Sequence, residues 1–441
     1  MSSVKFTDPS HWSALEAHMT SGRGEQFAFA HTRLVRLSPE PVVEVVDIEL
    51  IDGRDVNFDD SGWHLADDAL DRVHNAAIIG GYGLIEFHNH QLGPPAFSRT
   101  DEAGLGPMAA YVTSLMPDRP YGAGVYAGGR VHVEHWIRRS EDVIRDGFRS
   151  VSIIGDQLRL VNGTSPATSE RLSRQVSVLG ASGSQTLAGL RIAVVGAGGT
   201  GSYAALTLAY LGIRDMLIFD DDLVETSNLN RLIAAGYADL GAPKNLATRR
   251  RIREIDPALH VVAMGSIEPH GDRPELDDVD LIIGCVDHDG PRDLLNQVAV
   301  ETATPYIDIA TGILTEPAPM CIGGRVAFVV PGGPCLHCLG ELDAGEITRW
   351  SKSPTQQALD RQHGYGTQEA NPAIVHLNGL VVNAAIAELV AWIAGHRPPA
   401  QFLDIDLSGG LARSNATPGT RVTPRQPSSA SSSCFSCQRP Y

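Results

Sequence analysis

A glycine-rich turn between an apolar strand and a helix constrains this chain more than any other stretch. Residues 192–195 form a short apolar run, which predicts a buried strand, and the Ala- and Leu-rich residues 202–211 predict a helix. Four glycines lie between them: Gly196, Gly198, Gly199 and Gly201. In such a turn, backbone N–H groups and the helix dipole face an anion, and glycine allows a phosphate to approach closely. The sequence therefore predicts a phosphate site in an α/β domain.

The residues after the next strand indicate which nucleotide this turn binds, because the turn alone most often marks NAD or FAD. The apolar run 216–219 is followed by Asp220, and an acid at this position suits a ribose hydroxyl. Arg231 and Lys244 come next, and each further phosphate needs its own cation. Considered alone, each of these two residues could equally be an ordinary solvated surface charge. Together they favour a triphosphate over the alternative, a Rossmann oxidoreductase that binds NAD.

Three motifs in this order resemble the ThiF/MoeB family, whose members are related to ubiquitin-activating enzymes. They are Gly-x-Gly-Gly-x-Gly, then Asp-x-Asp-x-Val-x-x-Ser-Asn-Leu-x-Arg, then Gly-x-Pro-Lys. The resemblance runs from about residue 171 to the C-terminus. It implies ATP-dependent adenylation of the C-terminal glycine of a ubiquitin-like or sulfur-carrier protein. The implied nucleotide-binding residues are Gly196, Gly198, Gly199, Gly201, Asp220, Asp222, Asn228, Arg231 and Lys244.

The same resemblance implies two catalytic residues. Asp287, at the end of the apolar run 281–284, would bind magnesium or face the reacting phosphate. Arg174 resembles an arginine that family members contribute across a dimer interface, so a homodimer is expected. Related enzymes also form a thioester on a cysteine that follows a Cys-x-x-Cys pair, which corresponds here to Cys335 and Cys338. No cysteine lies between Cys338 and Cys434, so adenylation alone is favoured, with Cys321 as the alternative nucleophile.

The stretch of residues 86–101 carries a second constellation. His88 and His90 alternate along a predicted strand and so point to the same face, and a Gly-Pro-Pro turn returns the chain to Asp101. Two imidazoles and one carboxylate leave the fourth tetrahedral position of zinc open for water, as a catalytic site requires. A separate carboxylate must then accept the proton of that water. The alternative is that His88 and His90 are ordinary strand residues that bind no metal.

The spacing His-x-His, seven residues, Ser-x-x-Asp resembles the JAMM (JAB/MPN) metalloprotease motif over about residues 6–154. The resemblance implies cleavage after the C-terminus of a ubiquitin-like protein. Ser98 would stabilise the tetrahedral intermediate. Glu25 matches the catalytic glutamate best, and Glu44 is the second candidate. A rival of another class remains, in which this half only binds the substrate for the activating half.

Four of the six cysteines form two Cys-x-x-Cys pairs, Cys335 with Cys338 and Cys434 with Cys437. Four thiolates suit a closed, structural zinc site, and ThiF/MoeB-like proteins carry the same arrangement. Such a site would clip the C-terminal tail to the body, where the Pro- and Ser-rich residues 417–433 would otherwise be disordered. The expected cofactors are thus ATP, magnesium and two zinc ions, one catalytic and one structural.

Length and charge bound the remaining possibilities. A chain of 441 residues suits two or three domains, predicted as 1–160, a linker at 161–170, and 171–441. The first is expected to be α+β and JAB/MPN-like, and the last Rossmann-like with a mostly parallel sheet. A net charge of −17 argues against a nucleic-acid binder, which would need basic surface. Neither a membrane-spanning run nor a signal peptide is recognised, so a cytoplasmic location is expected.

Overall fold

The structure is a computed structural model of the chain. It describes residues 2–22, 24–36, 40–59, 62–162, 170–269, 275–314, 320–353, 356, 372–408, 421–425, 434 and 436. The chain divides into two compact units, Met1–Ser165 and Pro166–Tyr441. Each unit has its own sheet and its own buried core.

The N-terminal unit contains mixed strands and helices. Its strands are β1 (Ser3–Phe6), β2 (Phe27–Arg36), β3 (Val42–Leu50), β4 (Val56–Asp59), β5 (Gly62–Leu65), β6 (Gly83–Asn89), β7 (Tyr121–Ala127), β8 (Arg130–Arg139), β9 (Asp142–Gly147), β10 (Ser150–Ile154) and β11 (Leu158–Leu160). Its helices are α1 (Pro9–Met19), α2 (Asp67–Gly80) and α3 (Arg99–Leu115). Within the described residues, β4 pairs with β5, and the other strands form one sheet in the order β11-β10-β1-β3-β2-β6-β7-β8-β9.

Helices cover both faces of this sheet. The buried side chains of α1, at the helical spacing of Trp12, Leu15 and Met19, pack on one face together with Phe87 of β6. Helices α2 and α3 bury their apolar residues on the other face, together with Leu84 of β6. Because side chains alternate along a strand, His88 shares the face of Leu84. The strand thus presents His88 towards the side on which α3 packs.

The C-terminal unit is built on a second sheet. Its strands are β12 (Arg191–Val195), β13 (Asp215–Phe219), β14 (His260–Met264), β15 (Leu281–Gly284), β16 (Tyr306–Leu314), β17 (Cys321–Val329), β18 (Phe402–Asp406) and β19 (Arg421–Arg425). Its helices are α4 (Val176–Gly189), α5 (Gly199–Leu211), α6 (Lys244–Ile255), α7 (Asp289–Glu301), α8 (Leu336–Leu339), α9 (Ala344–Trp350) and α10 (Val375–Ile393).

The strand order of this sheet, β14-β13-β12-β15-β16-β17-β18-β19, creates a crevice. Strand β12 pairs in parallel with β13 on one side and β15 on the other, so the chain reverses its direction of winding there. Ligands of α/β sheets bind at such a switch point, outside the carboxyl ends of the strands. The expected parallel arrangement holds from β14 to β16, whereas β17, β18 and β19 are antiparallel to their neighbours.

Two segments of this unit need comment. Residues 421–425 lie in the Pro- and Ser-rich tail, which was expected to be disordered unless it is clipped to the body, and they form β19, which pairs with β18. Helix α10 is long and apolar enough to cross a membrane by length and composition, with a mean hydropathy of 1.4. However, 61% of that stretch is buried, and the helix packs against α5 and β17. Its apolar character therefore serves the core of the unit.

Candidate active site and metal centres

A cavity of about 770 Å³ lies at the switch point of the C-terminal sheet. It contains most of the residues predicted to bind the nucleotide: Gly196, Gly198, Gly199, Asp220, Asp222, Asn228, Arg231, Lys244 and Asp287. These residues follow the carboxyl ends of β12, β13 and β15, where a parallel sheet brings distant parts of the sequence together. Gly201 is not among the lining residues, because it is buried inside the first turn of α5.

The glycines of the turn have different roles. Gly196 has a φ of +89°, which side chains rarely adopt, and a Cβ there would lie 2.7 Å from the carbonyl oxygen of Cys285. A Cβ on Gly201 would overlap the carbonyl oxygen of Gly196. Gly198, the N-cap of α5, is different, because its Cβ would meet no described atom within 4 Å and would enter the open cavity. The turn is therefore a cradle for a group that approaches the backbone at the N-terminus of α5.

Asp220 ties the glycine turn to the end of β13. Its carboxylate accepts hydrogen bonds from the backbone N–H groups of Ala197 (2.6 Å) and Asp222 (2.9 Å). Burial raises the pKa of Asp220, and the Ala197 N–H and the charge of Lys244 oppose that rise. The carboxylate is thus held rigidly at the cavity wall, where a ribose hydroxyl is expected.

The two cations of the motif are oriented by short local contacts. Arg231 donates hydrogen bonds to the carbonyl oxygen of Ser227 (2.9 Å) and to Oδ1 of Asn230 (3.1 Å). Nζ of Lys244 lies 2.7 Å from Oδ2 of Asp222, which identifies Asp222 as the partner of the lysine. Both cations line the same cavity. This concentration of positive charge suits a polyphosphate.

Asp287 is strongly exposed, with 84% of its side chain accessible. It follows β15 and lines the cavity, which leaves its carboxylate available to a ligand. Cys285, two residues earlier, is buried, and burial raises the pKa of its thiol to about 12. A thiol with this pKa stays protonated near neutral pH and does not act as a nucleophile.

Sequence reasoning missed several residues around this cavity. Trp350 of α9, Thr311 of β16 and Asn378 of α10 line it, and Thr311 donates a hydrogen bond to Oδ1 of Asn378 (3.2 Å). Asp308 of β16 is completely buried beside it. Thr311, Asn378 and Asp308 are polar residues within otherwise apolar segments, and this pattern could have identified them from the sequence. Residues 357–371, whose Gly, Gln, His and Asn content predicts a loop near the active site, lie outside the described residues.

Arg174 lies elsewhere. It is exposed in the turn before α4 and is not among the residues lining the cavity of its own chain. Its expected contribution across a dimer interface stays a prediction.

A cluster of cysteines gathers behind α7. The Sγ atom of Cys335 lies 3.9 Å from that of Cys338 and 3.6 Å from that of Cys434. Helix α7 holds this cluster, because Asn296 accepts a hydrogen bond from the N–H of Leu336 (2.8 Å) and donates one to Ser436 (3.1 Å). The three sulfur atoms lie within 4.8 Å of one another and fit a tetrahedral zinc site. Cys437, the predicted fourth ligand, lies outside the described residues.

A second cluster forms in the N-terminal unit, where His88, His90 and Asp101 converge. Oδ2 of Asp101 lies 3.5 Å from Nε2 of His88 and 3.4 Å from Nε2 of His90. Nε2 of His88 is buried and has no hydrogen-bond partner in the described part of the chain. Burial opposes ionisation of Asp101, but the facing His88 and the N–H of Ser98 hold the pKa of Asp101 well below its usual range. An orphaned imidazole nitrogen facing an ionised carboxylate fits a metal ion.

The cap of α3 places Asp101. The hydroxyl of Ser98 accepts a hydrogen bond from the N–H of Asp101 (3.2 Å), and Oδ2 of Asp101 accepts one from the N–H of Ser98 (2.6 Å). This capping box fixes the first turn of α3 beside β6. Ser98 and Asp101 therefore have structural roles in addition to those expected from the motif.

The two candidate glutamates are placed differently. Glu25 and His90 line one small cavity of about 280 Å³, and burial raises the pKa of Glu25. Asn89 secures this arrangement, because its amide accepts a hydrogen bond from the N–H of Gln26 (2.7 Å) and donates one to the carbonyl oxygen of Met19 (2.6 Å). Glu44, by contrast, accepts a hydrogen bond from Thr7 (2.6 Å) and pairs with Arg33. The geometry thus favours Glu25 over Glu44.

Comparison with known proteins identifies the class. Residues 172–434, more than half of the chain, match the model of the ThiF family. The chain belongs to the ThiF family, which confirms the expectation for its C-terminal part. The match leaves the first 171 residues outside it, so the metalloprotease resemblance stays a prediction.

Several named proteins are similar in sequence. The Adenylyltransferase and sulfurtransferase UBA4 of Yarrowia lipolytica is 36% identical over 173 residues, which cover 38% of this chain and 41% of that protein. The SAMP-activating enzyme E1 of Haloferax volcanii is 31% identical over 176 residues, or 38% of this chain and 61% of that protein. The Ubiquitin-like modifier-activating enzyme 5 of Dictyostelium discoideum is 30% identical over 146 residues, covering 30% and 36%. The alignments therefore span less than two thirds of each relative.

Among solved structures, E. coli MccB with ATP is 18% identical with a TM-score of 0.45, covering 62% of this chain and 75% of that chain.

Proposed function

We propose that the C-terminal unit uses ATP to adenylate the C-terminal glycine of a ubiquitin-like or sulfur-carrier protein. The observation that carries this proposal is the single cavity in which the glycine turn, Asp220, Arg231, Lys244 and Asp287 converge. The names of two relatives support it, since one is an adenylyltransferase and sulfurtransferase and the other is a ubiquitin-like modifier-activating enzyme. An NAD oxidoreductase would have no comparable need for the two cations beside the turn.

The proposed reaction assigns a task to each side chain. The glycine turn and the first turn of α5 offer backbone N–H groups to a phosphate, and Asp220 binds the ribose. An oxygen of the carrier's C-terminal carboxylate forms a bond to the α-phosphorus of ATP. At the same time the bond between the α-phosphorus and the oxygen that bridges to the β-phosphate breaks, which gives an acyl adenylate and pyrophosphate. Arg231 and Lys244 stabilise the charge that develops on the phosphates. Asp287 would hold magnesium, which neutralises phosphate charge when it is bound.

We also propose that the N-terminal unit is a zinc-dependent peptidase that exposes this glycine by removing residues beyond it. His88, His90 and Asp101 would hold zinc, which lowers the pKa of a bound water to roughly 7. Glu25 would take the proton of that water, a task suited to a carboxylate whose pKa is raised by burial. The hydroxyl oxygen of Ser98 accepts a hydrogen bond from the N–H of Asp101. The hydroxyl hydrogen of Ser98 is therefore available to donate to a developing oxyanion.

ATP–pyrophosphate exchange with two forms of a candidate carrier tests this pair of activities. One form ends at Gly-Gly and the other carries extra C-terminal residues. Both forms are expected to support exchange by the wild type, and Asp101→Ala should abolish exchange with the extended form only. Exchange with neither form, together with binding of NAD in place of ATP, would contradict the proposed adenylation. Exchange with only the trimmed form, with zinc supplied, would contradict the proposed peptidase and favour a binding module.

Substitution of two glycines should separate ATP binding from folding. Gly198→Ala is expected to weaken ATP binding by about 10-fold or more with little change in stability, because its Cβ enters the open cavity. Gly201→Ala is expected to lower stability by about 2 kcal/mol or more, because its Cβ overlaps the Gly196 carbonyl oxygen. Calorimetric ATP titration and denaturant unfolding of both variants check this. Equal losses of ATP affinity and stability in both variants would contradict the proposed cradle.

Arg174 supports a further part of the proposal, a homodimer. Its exposed position outside its own cavity suits a residue that acts on the ATP of a second copy.

A further inference from the structure

A buried ionic network begins at the cavity with Arg292 of α7. This arginine lines the cavity, but its guanidinium is directed at protein groups. Nη1 lies 2.8 Å from Asp289, Nη2 donates to the carbonyl oxygen of Val286 (2.8 Å), and Nε lies 3.4 Å from Asp308. The contact with Val286 is informative, since Asp287 is the next residue. Arg292 therefore braces the backbone that carries Asp287.

Asp308 is the centre of the network. Its side chain has no exposed surface, and Oδ1 accepts a hydrogen bond from the hydroxyl of Tyr306 (2.8 Å). Oδ2 lies 3.4 Å from Nη2 of Arg325, whose Nη1 lies 2.9 Å from Glu341. Burial alone would lower the pKa of Arg292, but the charges of Asp308 and Asp289 raise it. A buried carboxylate is costly unless it is paired, and here two arginines and a tyrosine surround it.

The network also reaches the wall formed by α9. Oδ2 of Asp289 accepts a hydrogen bond from the N–H of Asp343 (2.7 Å), and Glu346 accepts one from the N–H of Asp289 (3.1 Å). These reciprocal bonds attach α9 to the start of α7, and Trp350 of α9 lines the cavity. The position of Arg292 thus bears on two sides of the cavity, the Asp287 loop and the Trp350 wall.

We propose that Asp308 is a positioning residue for adenylation, which holds Arg292 against the Val286 carbonyl and so fixes the Asp287 carboxylate at the cavity edge. This inference rests on the proposed function of the C-terminal unit and adds a residue to it. Asp308 contacts the reacting groups only through Arg292 and the loop. Its removal should therefore disturb the placement of Asp287 more than the binding of ATP.

A matched pair of variants in the full chain separates positioning from general stability. Asp308→Asn removes the buried charge but keeps an oxygen for the Tyr306 hydroxyl. Asp280→Asn removes another buried carboxylate of the same sheet, one that accepts a hydrogen bond from the N–H of Arg191 (2.8 Å). Asp280 immediately precedes β15, at the amino end of that strand, whereas Asp287 follows its carboxyl end. Both variants lose a buried charge, but only the first lies in the network.

Amide hydrogen exchange measures the loop directly and requires neither ATP nor a carrier. Residues 285–292 are expected to exchange at least about 10-fold faster in Asp308→Asn than in the wild type, because local opening of the loop becomes easier. In Asp280→Asn, exchange of this segment should stay within about twofold of the wild type. Unchanged exchange of the loop in Asp308→Asn, or an equal increase in both variants, would overturn the proposal.

Kinetics then test the consequence for adenylation. With a carrier that supports ATP–pyrophosphate exchange in the wild type, Asp308→Asn should lower kcat by about 10- to 100-fold and change KM for ATP by less than about threefold. In an Asp287→Ala background the same substitution should have less than about a twofold effect, because the residue to be positioned is gone. Equal effects in both backgrounds would contradict positioning. If the wild type supports ATP–pyrophosphate exchange with none of the carriers, the proposed adenylation is wrong. Amide hydrogen exchange would then still test whether Asp308 positions the Asp287 loop.

Discussion

Lys244→Gln is expected to weaken ATP binding by about 100-fold or more while the free energy of unfolding stays the same or rises slightly. Lys244 is the first residue of α6, where a positive charge opposes the helix dipole. Its partner Asp222 has a side chain that is 70% exposed, so their ion pair contributes little to stability. The fold therefore gains almost nothing from this charge, whereas a polyphosphate in the cavity would gain a great deal.

Arg253→Gln is the matched control on the same helix. Arg253 lies in the last turn of α6, where a positive charge is favourable to the dipole, and it is exposed. Its removal should lower stability by about 0.3–1 kcal/mol and leave ATP affinity unchanged. Calorimetric ATP titration and unfolding without nucleotide measure both quantities. If Lys244→Gln binds ATP within about threefold of the wild type, the lysine is a surface charge and its assigned role is wrong.

Asp101→Ala is expected to lower the zinc content of the chain from two ions to one, and Cys335→Ser is expected to remove the other ion. Each substitution deletes one candidate ligand from a different cluster. The consequences for stability should differ, because a closed cysteine site contributes folding energy directly, while a site with an open position serves chemistry. Cys335→Ser should therefore lower the unfolding temperature of the C-terminal unit far more than Asp101→Ala lowers that of the N-terminal unit.

Ser98→Ala provides the control for this experiment. It removes the hydroxyl half of the capping box at the start of α3, but the backbone N–H of residue 98 can still bond to the Asp101 carboxylate, and His88 and His90 are unchanged. Its zinc content should remain at two, and its loss of stability should be about 1 kcal/mol, the usual value of an N-cap. Elemental analysis of the wild type and of the three purified variants measures their zinc content. A zinc content of one in the wild type that Asp101→Ala does not change would contradict a metal site in the N-terminal unit.

The central stretch of the C-terminal unit was predictable because its signals are local. The apolar run of β12, the glycine turn and the start of α5 occupy consecutive residues, and each has a short-range physical cause. Trp12, Leu15 and Met19 fall on one face at helical spacing, so the sequence alone likewise predicts α1. Helix α3 was not predicted, because the Gly-Pro-Pro sequence was interpreted as a turn that returns the chain to Asp101. In the structure Asp101 is the third residue of a capped helix.

The residue types of each cluster and the resemblance of the C-terminal part to the ThiF family were predictable from the amino-acid sequence, since motif spacing and strand alternation act over short separations. The tertiary structure places Glu25 in one cavity with His90 and pairs Glu44 with Arg33, and it also pairs Asp222 with Lys244 and brings Cys434 to Cys335. It alone placed Asp308 between Arg292 and Arg325. Such contacts join residues far apart in the chain, and no local pattern encodes them. They arise because sheet order and helix packing bring particular side chains into one buried space.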